Sequence, residues 1–446
     1  MDEKNLKFPR VLIVGNNFDF ITGTGITLSN LFSGWDINNI AVASEFISNV
    51  ETLNTSICRK YYLLGKAEVK YIWPLNLFTK IQESKTLNIE KEKVSNNSFI
   101  QDSDPSHTYY FKEVYSKYIK SILVYTGINE IKIKESVSEN FIKWIKEFNP
   151  DVIYTLLGTL NSIRFISDIK KCVNIPIAVH FMDDWPKRKR LFNNYWEKKI
   201  YKELSELLKN TSYYFTICES MGEEYNHRYG FQFKAFHNPI ILEKWERFSK
   251  KDWKIENNLK IIYAGKINDD NKNSINDMCH AVNNLNSENI MVDFEIYIPQ
   301  DNKKLLKNIS ELKGVKIFPS VNHNEMPLLL SRADILFLPL DFTNKCVNYT
   351  RFSMPSKTPE YMISGVPVLV YCSHDSALNK YAKSKDWAYV ISERSVKKIK
   401  DGILKLYQDE NLRKYYGSGA YNIAKSEHGQ KYVREKFRNA LSEYNE

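Results

Sequence analysis

Residues 349–371 run Tyr349-Thr-Arg-Phe-Ser-Met-Pro-Ser-Lys-Thr-Pro-Glu-Tyr-Met-Ile-Ser-Gly-Val-Pro-Val-Leu-Val-Tyr371, which reads as loop, short helix, turn and buried strand. Ser356 is placed to cap a helix beginning at Lys357. Pro359 sits in the first turn, where a missing N–H costs nothing, and Gly365 supplies the stop. Val366 to Tyr371 is apolar and β-branched, as in a strand covered on both faces of a parallel sheet. A polar loop entering a helix beside such a strand is a natural anion site, because unpaired N–H groups and the positive end of the dipole point at it. An ordinary strand-to-helix connection has the same form.

The second half of the chain, around this stretch, alternates strand and helix. Lys260–Ala264, Val292–Ile298, Val315–Phe318 and Ile335–Pro339 read as strands, with a helix from about Asn324 to Arg332 and helices through most of Val396–Ala424. The first half alternates likewise: Val11–Gly15, Asp151–Thr155, Ile175–Phe181 and Thr211–Cys218 are strands, and helices start near Gly23, Leu191 and Glu219. Phe141, Trp144, Ile145 and Phe148 fall at i, i+3, i+4 and i+7, an amphipathic helix. Two successive alternations predict an α/β chain of two doubly wound units. Residues 51–134 fit the alternation least and read as an inserted elaboration on the acceptor side.

At 446 residues the chain exceeds one ordinary domain of ~150 residues. It is 43% hydrophobic and 13% aromatic, enough for large cores, and its formal charge of +10 suits anionic ligands. Nucleic acid is disfavoured, since no zinc finger, basic zipper or RNP-like string occurs. Six cysteines without a Cys-x-x-Cys pair read as reduced core thiols and place the chain in the cytoplasm. The charged start Met1-Asp2-Glu3-Lys4 leads to the expectation of no secretory leader, and no apolar run approaches ~20 residues. The Lys/Asn/Ile-rich character suggests an AT-rich bacterial genome.

Pro355-Ser356-Lys357, Pro359-Glu360-Tyr361 and Gly365-Val366-Pro367-Val368 resemble the donor-nucleotide segment of GT-B glycosyltransferases of the family-4, or group 1, type. The resemblance implies that Glu360 holds the ribose hydroxyls of a sugar nucleotide and that loop amides around Ser353, Pro355, Ser356 and Lys357 hold its diphosphate. Such enzymes often carry a second glutamate eight positions earlier to read the donor sugar, and here that position is Phe352. Gly265-Lys266 with Lys272 resembles the family's Gly-Arg…Lys pair, which neutralises the departing diphosphate. Gly23 and Gly25 occupy the place of the glycine loop that approaches donor phosphate or acceptor. Glycine in a plain turn and lysine on a wet surface are the alternatives.

The resemblance further implies two Rossmann-like domains facing across a cleft. They are an acceptor-side domain (1–242) ending after His237-Asn238-Pro239 and a nucleotide-sugar domain (243–428), followed by a helix (429–446) crossing back to the first. The expected reaction is sugar transfer from a nucleotide-sugar donor to a saccharide or lipid-linked saccharide acceptor in surface polysaccharide assembly. It is expected to retain anomeric configuration, with no cofactor and no essential metal. His180 and Asp183, at a strand end of the first sheet, are candidates to orient the acceptor or serve as base; a core histidine and helix capping are their alternatives. Lys187-Arg188-Lys189-Arg190 beside Trp185, Phe192 and Trp196 could meet anionic headgroups, giving peripheral membrane contact, or be a solvated helix face. Asp102-Ser103-Asp104 has the Asp-x-Asp form of a metal-nucleotide site but follows no apolar strand. A nucleotide-sugar 2-epimerase of the same fold and an inactive homologue acting as a binding subunit are the rival functions.

Overall fold

The computed structural model describes residues 8–45, 52–73, 75–77, 79, 81–89, 120–299, 309 and 311–442. The chain forms two compact units, one of residues 1–236 with 434–446 and one of residues 237–433.

The first unit contains β1 (Val11–Val14), β2 (Ile40–Ser44), β3 (Lys60–Leu63), β4 (Val69–Tyr71), β5 (Lys85–Asn88), β6 (Ile133–Glu135), β7 (Val152–Thr155), β8 (Ile177–Phe181), β9 (Tyr213–Thr216) and β10 (Lys234–Ala235). Eight of them form one sheet in the order β10-β9-β8-β7-β1-β2-β3-β5, with β4 and β6 paired separately. All pairings in the large sheet are parallel except the edge strand β5 on β3. Strands β1, β2, β7 and β8 are buried along their whole length, which explains their continuous apolar runs. The described part of residues 51–134 is therefore not simply an insertion. Tyr61 and Tyr62, on opposite faces of β3, are both buried, and β3 and β5 extend the sheet.

The last helix, Gln430–Ser442, returns the chain to this unit from residue 434 onward. Phe437 is fully buried among Phe32, Trp35, Tyr154, Phe215 and Phe236. Arg434 Nε donates to the Asn30 carbonyl at 2.8 Å.

The second unit contains β11 (Leu259–Ala264), β12 (Val292–Ile298), β13 (Val315–Pro319), β14 (Ile335–Pro339), β15 (Val368–Tyr371) and β16 (Tyr389–Ile391). The sheet order is β13-β12-β11-β14-β15-β16, wholly parallel. Counted within the unit this is 3-2-1-4-5-6, the doubly wound order whose reversal point lies between the first and fourth strands. Ligands of such sheets lie outside the carboxyl ends of those strands, here Ala264-Gly265 and Pro339-Leu340. Two apolar cores cover the faces, one holding Ile261, Phe294 and Phe337 and the other Ile262, Leu336 and Val370.

Candidate nucleotide site

The segment 349–371 starts inside a helix, Asn344–Thr350, that its sequence did not suggest. Ser353 N donates to the Thr350 carbonyl at 3.0 Å and closes the turn that follows. The next helix is Thr358–Ile363, six residues long, with Lys357 at its N-cap position and no side-chain cap. Ser356 is therefore not the cap. The Thr358 amide, which a capping serine would help satisfy, donates instead to the Pro355 carbonyl at 2.9 Å. The Ser356 carbonyl in turn accepts from Nδ2 of buried Asn238 at 3.0 Å, so the loop is fixed from the residue pair that opens the second unit. Gly365 ends the helix at φ +71°, with Lys250 backbone packed where a Cβ would stand. The strand begins at Val368, two residues later than its composition suggests, because Pro367 has no N–H to give a ladder.

This geometry brings Lys357 and Glu360 to the end of β11. Lys357 Nζ donates to the Ala264 carbonyl at 3.0 Å and the Tyr263 hydroxyl at 3.2 Å, and lies 4.3 Å from the Tyr263 ring centroid. Gly265 adopts φ +148°, and a Cβ built on it would collide with that ammonium. Burial pushes the Lys357 ammonium down to about 8, while Glu360 acts in the opposite direction. The Glu360 side chain is 19% exposed, with His323 Nδ1 3.9 Å from Oε1. Burial raises its carboxyl above the ordinary range, opposed by His323 and Lys357. The Tyr361 hydroxyl accepts from the Ala264 amide at 2.9 Å, locking this helix to β11.

The other two lysines lie differently. Lys266 is exposed, and its carbonyl accepts from the Tyr263 hydroxyl at 2.6 Å and from Asn271 Nδ2 at 3.1 Å. Lys272 opens the helix Lys272–Ser287 and pairs with Asp269 at 2.9 Å, a hydrogen bond that raises its ammonium. The start of that helix also faces buried Asp341, whose Oδ2 accepts from the Asn273 amide at 3.2 Å.

In the first unit, Gly23 begins the helix Gly23–Phe32, and the Thr22 hydroxyl accepts from the Gly25 amide at 2.9 Å. The Asp19 carboxylate takes the Ile21 and Thr22 amides at 2.8 and 2.6 Å, and any Cβ on Gly25 would strike it. An acidic side chain of the chain itself thus already occupies those loop amides, which gives Gly25 a packing reason.

His180 is wholly buried, with Nδ1 2.5 Å from the Tyr154 hydroxyl, and burial drives its imidazole down to about 3. It is a neutral core histidine, and the proposal that it touches an acceptor is corrected: no part of it reaches the surface. Asp183 is exposed at the end of β8, whereas its neighbour Asp184 is buried and held by Arg228 through two 2.7 Å bonds.

The basic run is likewise divided. Arg190 is buried and donates to Glu130 at 2.8 and 3.0 Å, and Lys187 pairs with Glu197 at 2.9 Å. Trp185 and Trp196 are buried, and Leu191, Phe192 and Tyr195 are exposed. Asp102 and Asp104 lie outside the described residues. Among the described residues, no helix is long and apolar enough to cross a membrane.

Asn238, Tyr263, His323 and Tyr361 were not singled out as site residues from the sequence. His323 and Asn238 lie far from Glu360 along the chain; His323 has no pattern of its own, and Asn238 reads only as part of the segment that ends the first domain. Only the chain's return after β13 and the entry into the second unit bring them near.

Residues 245–423 match the family model for glycosyl transferases group 1. No curated protein matches the chain in sequence. Among solved structures, it is similar to sucrose-phosphate synthase from Thermosynechococcus elongatus, with 9% identity, a TM-score of 0.59 and 96% of each chain covered. It is also similar to HepE from Anabaena in complex with UDP and glucose, with 10% identity, a TM-score of 0.61 and 97% of this chain and 99% of that one covered. A glycosyltransferase from Rickettsia africae aligns at 9% identity and a TM-score of 0.61 over 98% of both chains. These likenesses cover nearly the full chain and establish the GT-B fold.

Proposed function

We propose that this chain, a glycosyltransferase of the GT-B fold with the group 1 domain in residues 245–423, moves a sugar from a nucleoside diphosphate donor to a saccharide or lipid-linked saccharide acceptor. One observation carries the reading. Glu360, Lys357 and the Gly265 turn meet at the reversal point of the second unit's sheet, where a carboxylate can take ribose hydroxyls and a cation can face phosphate. The HepE structure with UDP and glucose puts uridine nucleotides first among donors to try.

We assign the donor to the second unit and the acceptor to the first, with transfer retaining configuration and needing no metal. The free cysteines, five of them buried, favour a reducing cytoplasm. The Lys/Asn/Ile-rich sequence favours a bacterial surface polysaccharide as product. Exposed Leu191, Phe192 and Tyr195 near Lys187 and Lys189 support peripheral contact with an anionic membrane carrying the acceptor.

The test is incubation with a panel of labelled sugar nucleotides, following nucleoside diphosphate with and without saccharide acceptors. Release that depends on acceptor is expected. Isomerised donor without acceptor would replace transfer by 2-epimerisation, and binding without turnover would leave a binding subunit.

A further inference from the structure

We propose that Lys357 is the cation that neutralises the departing nucleoside diphosphate, in place of the Lys266 and Lys272 pair that the family likeness suggests. The inference rests on the nucleotide-sugar reading above. It starts from how completely the ammonium is positioned. Its bonds to the Ala264 carbonyl and the Tyr263 hydroxyl use two of the three donors of an ammonium and leave one for a ligand. Those two partners are themselves fixed. The Tyr263 hydroxyl donates to the Lys266 carbonyl and accepts from Asn271 Nδ2 at 2.9 Å, while the Ala264 amide is held by Tyr361. Gly265 supplies the space, since any side chain there would displace Nζ.

Lys272 shares its charge with Asp269 and is about half exposed, and Lys266 is exposed, so neither is held in one geometry out of water. A cation fixed before the reaction stabilises developing charge without reorganisation. In the step it serves, the bond between the sugar's anomeric carbon and the diphosphate breaks, and the electron pair passes to the terminal phosphate oxygen. The acceptor oxygen forms the new bond, and its proton leaves to the released phosphate or to water. Lys357 donates a hydrogen bond and no proton.

The ionisable groups facing Lys357 are Glu360 on its own helix, Tyr263 on β11 and neighbouring Tyr361, with His323 beyond Glu360. Because burial lowers the ammonium to about 8, diphosphate affinity carries a signature at alkaline pH.

The experiment is calorimetric titration of the full chain with UDP, GDP, ADP, CDP and dTDP and the corresponding nucleosides, from pH 6.5 to 9.5. The proteins are wild type, Lys357→Met, Lys357→Arg and Glu360→Ala. Wild type should bind one diphosphate with affinity that declines above pH about 8. Lys357→Met should lose about 10- to 100-fold for the diphosphate and leave the nucleoside unchanged. Lys357→Arg should bind with no alkaline decline, since guanidinium keeps its charge throughout. If Lys357→Met binds the diphosphate like wild type while Glu360→Ala does not, the inference falls and the nucleotide reading stands. If wild type binds none of the five, both fall. Should Lys357→Met unfold, the arginine variant decides alone, because an alkaline decline that persists in it refutes the role.

Discussion

Replacing Glu360 by alanine should move binding and stability in opposite directions. The carboxylate is 19% exposed, and His323 Nδ1 at 3.9 Å is too far for a hydrogen bond. It is therefore partly stripped of water before any ligand arrives. Burial raises its folded pKa above the ordinary 4.5. Between 4.5 and the raised value the folded state binds more protons than the unfolded one, so stability falls as pH rises through that window. The burial of the Glu360 carboxyl thus subtracts stability at neutral pH, and the loss is relieved on acidification below 4.5.

A bound ribose would supply the missing partners as two charge-assisted hydrogen bonds. Losing them should cost ~1.5–3 kcal/mol, or roughly 10- to 150-fold in nucleotide affinity. Glu360→Ala should accordingly bind nucleotide that much more weakly by calorimetry. It should melt at or above the wild-type temperature at pH 7, with the difference shrinking at pH 4. An unchanged dissociation constant would remove Glu360 from the site, and weakened binding together with a lower melting temperature at pH 7 would make the residue structural.

Phe437→Ala should destabilise the first unit by ~3–5 kcal/mol in urea unfolding, because it empties a site bordered by five aromatic rings; a loss under ~1 kcal/mol would mean that the terminal helix contributes little there. Arg190→Met should cost ~3–5 kcal/mol by stranding the Glu130 carboxylate, 2% exposed, and Arg190→Met with Glu130→Gln should recover part of it. A double variant no better than the single would show that the orphaned charge is not the cause. Turnover should persist in excess EDTA, and Lys272→Ala should lower it by less than about tenfold, since its exposed ion pair with Asp269 fixes little. Abolition by chelator and rescue by magnesium or manganese would overturn the metal-free reading and bring Asp102 and Asp104 into it.

Five of the six strands of the second unit were legible to within two residues, and Tyr389–Ile391 at the edge was not. Ile335–Pro339 stands where its apolar run placed it, because a strand covered on both faces leaves little room for polar residues, and Val292–Ile298 stands where its alternation placed it, every second residue being buried. Less of the first unit was legible. Ile40–Ser44 is short, with alanine at two of five positions, and β3 and β5 lie among polar stretches that mask them. Glu360 was singled out from its motif, and Pro359 and Gly365 bracket the short helix that carries it.

The sequence alone also put His180, Lys266 and Lys272 ahead of Lys357, which entered only through its loop amide, because residue type, strand-end position and family likeness are all that a chain displays. Tertiary structure separated them through solvent and partners. His180 turned inward to Tyr154, Lys272 met Asp269, and the Lys357 side chain reached across Gly265 to β11. Whether an ionisable group is neutral in a core, paired at a surface or held ready for a ligand depends on its dielectric surroundings and on groups remote in sequence. Those are fixed only when the strands on either side of the reversal point come together.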